Sequence, residues 1–119
     1  MTIPTLAGER KSYVEALAQD LDSLVQQLSR IPAIQKVILF GSYATGRRDL
    51  FTDLDLLVIM DSSLDFVSRN VALARDLQAR VALDLLVYTP QEMEQMRERP
   101  FLRHALKTGK VLYERKSSN

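Results

Sequence analysis

The chain has no cysteine and no tryptophan, and only one histidine, His104, among its 119 residues. Without cysteine there can be no disulfide scaffold, no Cys-ligated zinc site and no thiol nucleophile. Long apolar runs are missing too. The longest, Leu56–Met60, is far short of the roughly 18 residues needed to span a bilayer. The opening Met1-Thr2-Ile3-Pro4 lacks the charged-then-apolar pattern of a secretory signal. These absences read as a soluble intracellular protein, expected in the cytoplasm. A charge excess is also lacking: 16 basic residues face 15 acidic ones, net +1, so the whole molecule is not a general polyanion binder.

What is present suits one folded domain. A hydrophobic content of 46% and a charged content of 26% are ordinary for a globular chain, and this length corresponds to a single domain with a real core. The expected layout is one domain over residues 1–119, with a core at about 30–114, an N-terminal helix at about 11–29 and a frayed tail at 116–119. Charge is uneven along it. From Met96 onward seven basic residues meet two acidic ones, whereas the first 95 residues hold nine basic and thirteen acidic. That basic end reads either as a solvated helix face with a polar tail or as an electrostatic contact for a partner.

Val14, Leu17, Leu21, Leu24, Val25 and Leu28 recur at three- and four-residue steps and predict an amphipathic helix closed by Pro32. Lys36–Phe40 is a β-branched and aromatic run stopped by Gly41-Ser42, a buried strand followed by a turn. Residues 42–48 allow at most a short helix or loop. Asp53–Met60 predicts a central strand covered on both faces. Ser62 with Asp65 predicts the start of a helix running to about Arg80, and Val81–Tyr88 a third strand. Thr89, Pro90 and Glu92 form a helix-start pattern. Pro100 opens another helix ending near Gly109, and Val111–Tyr113 predicts a last short strand. The order defines an α/β or α+β domain.

The chemistry concentrates between Phe40 and Val58. Asp53 and Asp55 stand two apart at a strand start, so their side chains share a face, with Cα atoms about 6.6 Å apart. Two carboxylates so placed repel and invite a hard cation such as Mg²⁺. Asp84 interrupts an otherwise apolar strand, where an unpaired buried carboxylate is costly unless it lies at a strand end or beside a metal. If the third strand neighbours the second, Asp84 joins the pair, and three carboxylates can hold two divalent ions for in-line displacement at phosphorus. Gly41 permits close backbone approach to a phosphate, and Ser42 adds a hydroxyl and an N–H. Arg47 and Arg48 read either as phosphate contacts or as surface charges. Tyr43 reads either as packing or as a neighbour of the nucleotide. His104 reads as a surface or partly packed helix residue.

Gly41-Ser42, ten intervening residues, then Asp53-x-Asp55 resembles the motif of the DNA polymerase beta-like nucleotidyltransferase superfamily. Gly46 and Leu56-Leu57-Val58 fit as well, and Thr52 stands where many members have Ser. The short length, the strand bearing Asp84 and the ending from Pro100 to Glu114 resemble the stand-alone minimal nucleotidyltransferases. The resemblance covers roughly residues 30–114. It implies a palm-like fold, a small mixed β-sheet flanked by helices. It implies that Asp53, Asp55 and Asp84 are catalytic and hold Mg²⁺, as two ions with Mn²⁺ as a substitute. Gly41, Ser42 and Arg47 would bind the nucleotide, and Asp84 would help activate an acceptor hydroxyl. The implied activity transfers AMP from ATP to a hydroxyl, foremost a tyrosine of a HEPN-type toxin, which makes this chain an antitoxin. A non-catalytic antitoxin that acts by complex formation and an RNA-end nucleotidyltransferase stay open beside it.

Overall fold

The computed structural model of the protein describes residues 6–116. In chain order the elements are helix α1 (Leu6–Ser29), strand β1 (Ile34–Phe40), the single turn α2 (Gly41–Ala44), β2 (Leu54–Met60), α3 (Phe66–Asp76), β3 (Leu83–Tyr88), α4 (Pro90–Met96), α5 (Pro100–Thr108) and β4 (Lys110–Glu114). The strands form one mixed sheet in the order β3-β2-β1-β4. β1 is antiparallel to both of its neighbours, and β3 runs parallel to β2 after the α3 crossover. This is the small mixed sheet flanked by helices that the family resemblance implies. Among the described residues no helix is long and apolar enough to cross a membrane.

The period of two along each strand divides the core between two faces. Val37 and Leu39 of β1 and Leu54, Leu56 and Val58 of β2 pack with Leu17, Leu24 and Leu28 of α1 and Leu73 of α3. The alternate residues Ile38, Phe40 and Leu57 pack with Met93 of α4 and with Leu102 and Ala105 of α5. Leu54, Leu56, Leu57 and Val58 are all closed to solvent, so β2 is covered on both sides as expected.

Several boundaries differ from expectation. α1 begins at Leu6 rather than near Lys11. α3 is capped by Asp65, whose carboxylate accepts from the Ser68 N–H at 2.8 Å, while Ser62 only accepts from Leu64 N–H in the preceding turn. α3 ends at Asp76 because Leu77 leaves the helical region, and residues 77–82 become a loop. The Thr89–Glu92 capping box forms as predicted, with Pro90 in the first turn. Asp53 precedes β2 rather than opening it, and β4 is one residue longer at each end than expected. The tail expected to fray lies, beyond Lys116, outside the described residues.

β3 is an edge strand, not a buried one, and Asp84 on it is exposed. That resolves the cost of a carboxylate in an apolar strand. α3 covers the far end of this edge. Asn70 accepts from Val87 N–H at 3.1 Å, and the buried Arg69 guanidinium donates to the Val87 carbonyl at 3.0 Å and pairs with Glu92. The near end is fixed from α1. Asp20, 5% exposed, accepts from Arg80 N–H at 2.6 Å, Val81 N–H at 3.0 Å and Arg80 Nε at 3.0 Å. Gln27 exchanges bonds with the backbone of Gln78. The loop that feeds β3 is therefore held in place, and with it the register of Asp84.

Candidate active site at one end of the sheet

Because β1 is antiparallel to β2, the end of β1 and the starts of β2 and β3 lie at the same edge of the sheet. Phe40 pairs with Asp55, and Asp55 pairs with Asp84, in one row across three strands. Neighbouring strands lie about 4.8 Å apart, so the two carboxylates are near neighbours on the same face. Gly41 comes directly after this row with φ of +76°. A Cβ there would sit 2.1 Å from Asp55 Oδ2. Gly41 was expected for its approach to phosphate; the structure adds a second demand, room for the Asp55 carboxylate. Both the backbone conformation and the space exclude other residues.

The Asp55 carboxyl is half-buried and accepts no N–H or hydroxyl bond among the described residues. Burial pushes it up, the hydrogen bond with Asp84 and the charges of Asp84 and Asp53 push it further, and it reaches about 6. Asp53, Asp55 and Asp84 offer oxygen only, the donor chemistry of a hard divalent cation. Among the described residues no three of them stand close enough to hold an ion as they are. Of the three carboxylates expected to converge, the structure brings Asp55 and Asp84 together and leaves Asp53 within electrostatic range. The unneutralised pair is what a bound cation would relieve, so the residues fit the metal.

Asp53 is presented by a loop whose order the strand and helix patterns do not reveal. Asp49 Oδ1 accepts from Phe51 N–H at 2.8 Å and from the Thr52 hydroxyl at 3.1 Å, and Thr52 Oγ1 accepts from Asp49 N–H at 3.0 Å. Thr52 is fully buried, and the Tyr13 hydroxyl donates to its carbonyl at 2.8 Å. The Asp-x-x-Thr spacing was the local signal for this turn. Arg47, a predicted nucleotide contact, is exposed and paired with Asp49 at 2.8 Å on the same loop, and the Asp53 charge also favours its charged form. Arg48 is occupied elsewhere. Its Nη1 donates to the carbonyls of Tyr43 and Arg47 at 2.8 Å each, and its guanidinium lies 3.4 Å over the Tyr43 ring. Tyr43 is buried, which decides for packing. Ser42 is half-buried and is the second residue of α2, a single turn too short for a helix dipole of consequence.

A mixed palm-like sheet with a Gly-Ser turn abutting an acidic row defines an enzyme of nucleotidyl transfer. The family model "Polymerase beta, Nucleotidyltransferase" matches residues 22–118, and the chain belongs to that family. It is 32% identical over 80 residues to the "Putative protein adenylyltransferase" of Methanocaldococcus jannaschii, covering 67% of this chain and 79% of that one. A crystal structure of a "putative nucleotidyltransferase" from Sulfolobus solfataricus has a similar fold, with a TM-score of 0.55, 18% identity, and coverage of 97% of this chain and 93% of that one. A crystal structure of a mutant of the toxin–antitoxin MntA–HpeT matches with a TM-score of 0.49 and 24% identity, covering 83% of this chain and 73% of that one.

Proposed function

We propose that the protein is a Mg²⁺-dependent protein adenylyltransferase that moves AMP from ATP to a hydroxyl of a partner protein. The observation that carries this reading is the Asp55–Asp84 row abutting Gly41 at the open end of the sheet. The protein as acceptor is supported by the relative named "Putative protein adenylyltransferase". A HEPN-type toxin with a tyrosine acceptor follows from the motif resemblance, which gives this chain the antitoxin role.

In this mechanism Gly41 and Ser42 receive the phosphates through their backbone and the Ser42 hydroxyl, and Arg47 turns to them from its exposed position. Asp53, Asp55 and Asp84 would hold the divalent ions, which when bound would neutralise charge at the α-phosphate. Asp84, exposed on the edge strand, is the carboxylate an incoming protein can reach, and it accepts the proton of the acceptor hydroxyl. The hydroxyl oxygen forms a bond to the α-phosphorus, the bond to the bridging oxygen breaks, and pyrophosphate leaves in line. The cytoplasm is where such a donor and partner meet.

The test uses ATP labelled at the α-phosphate, Mg²⁺ and a purified HEPN-type protein as candidate partner. Label should pass to the partner, and mass spectrometry should place AMP on a tyrosine, with pyrophosphate released. Asp84→Ala should still bind the partner but lose about 100-fold or more of the transfer. Equal neutralisation by wild type and Asp84→Ala, with no adduct on either, would establish a binding antitoxin instead. Label on added RNA and none on protein would establish RNA-end transfer.

A further inference from the structure

Gly41 has two sides. One abuts Asp55. The other lines a cleft of about 260 Å³ between the end of β1, α2 and α5. The walls are largely apolar. Phe101, in the first turn of α5, stands edge-on to Phe40 with ring centroids 5.8 Å apart and is still 54% exposed. No Lys or Arg lines the cleft, so it is not built for phosphate. Of its polar side chains, the Thr45 hydroxyl donates to the Ser42 carbonyl at 3.1 Å and the Thr108 hydroxyl to the His104 carbonyl at 2.9 Å. The His104 imidazole has no hydrogen-bond partner among the described residues and is exposed.

We propose that this cleft takes the base of the donor nucleotide, with Phe101 as the stacking face and His104 as the group that reads the base edge. The proposal rests on the nucleotide-transfer reading above and names where that donor's specificity lies. The volume is just below the roughly 300 Å³ at which pockets begin to enclose whole small molecules, which suits a base with its phosphates left outside. Gly41 is the shared wall, so a base in the cleft leaves the α-phosphate next to the acidic row. Every base has a π-face, and an open aromatic ring beside an apolar floor is the usual platform for one. A purine offers more stacking area than a pyrimidine, so purine triphosphates bind more tightly here.

Calorimetry with Mg²⁺ separates the base from the phosphates. ATP, GTP, CTP, UTP and inorganic tripolyphosphate are titrated into wild type, Phe101→Ala, Phe101→Trp and His104→Ala. Phe101→Ala should weaken ATP about 10–100-fold, the range expected for loss of one stacked base, and leave tripolyphosphate unchanged. Phe101→Trp should retain ATP. His104→Ala should narrow the difference between ATP and the other nucleoside triphosphates. ATP binding by Phe101→Ala equal to wild type, or an equal loss of ATP and tripolyphosphate, overturns the cleft assignment while the donor reading stands. Wild type that binds neither probe overturns the donor reading, and the cleft assignment falls with it.

Discussion

Asp20 and Asp55 are two carboxylates drawn from solvent on opposite faces of the same sheet. Asp20 is the more buried, yet it accepts three hydrogen bonds from Arg80 and Val81. Burial alone would raise it, but the backbone N–H groups of Val81 and Arg80 and the Arg80 side chain outweigh that and hold it below the usual carboxylate range. Asp55 is less buried and meets only other carboxyls, so every influence pushes it upward, to about 6. A buried charge that the fold satisfies is part of the fold. One left facing its own kind awaits something from outside. The two faces differ in the same way. The 24-residue α1 and α3 cover the first face. The second is covered by the short helices α4 and α5 and ends in Asp55 and Asp84.

The largest expected effect comes from emptying the closed face. Leu56→Ala removes a side chain with no exposure and should cost about 3 kcal/mol in urea unfolding, as buried leucine truncations do. Next is Asp20→Ala, which leaves the Arg80 and Val81 amides without their acceptor and should cost about 2 kcal/mol. Asp20→Asn should recover part of that, because an amide oxygen still accepts. Loss of transfer beyond the loss of stability would show that Asp20 also keeps Asp84 in register. Thr89→Ala removes the cap of α4 and should cost about 1 kcal/mol, with transfer intact.

The pH dependence is smaller and divides the two carboxylates. Asp20, and Glu92 beside Arg69, are held low, so their contribution is present above their unfolded values and lost as pH falls through the lower folded ones, below about 4. Asp55 is held high, so the metal-free protein should lose stability as pH rises from 3.8 through about 6. Melting in EDTA between pH 3 and 8 should show a maximum near pH 4, flattened on its alkaline side by Asp55→Asn.

The comparison also shows what sequence can carry. The Gly41-Ser42 turn and the Asp53-x-Asp55 pair were legible because both parts, at a fixed ten-residue spacing, make up the motif on which the family resemblance rests. The Thr89–Glu92 box was legible because both partners lie within one turn. Asp20 was not, since it occupies an ordinary polar position on an amphipathic helix and its partners lie about 60 residues away. Arg69 was hidden for the same reason, its acceptors being Val87 and Glu92. The Asp-x-x-Thr turn at Asp49 was local and readable, but the Tyr13 clamp on it was not. The need for glycine at 41 was visible; that Asp55 imposes it was not.

Paired melting curves of wild type and Asp55→Asn, each with EDTA and with Mg²⁺ plus a non-hydrolysable ATP analogue, reach the central point most directly. In EDTA at pH 7.5 the variant should melt higher, by roughly 4 °C for about 1 kcal/mol of relieved repulsion after solvent screening. With Mg²⁺ and the analogue, wild type should rise several degrees, the variant should not, and the order should invert. A variant that melts below wild type without metal and gains as much from Mg²⁺ and nucleotide would mean that Asp55 is an ordinary structural carboxylate and that the chemistry lies elsewhere.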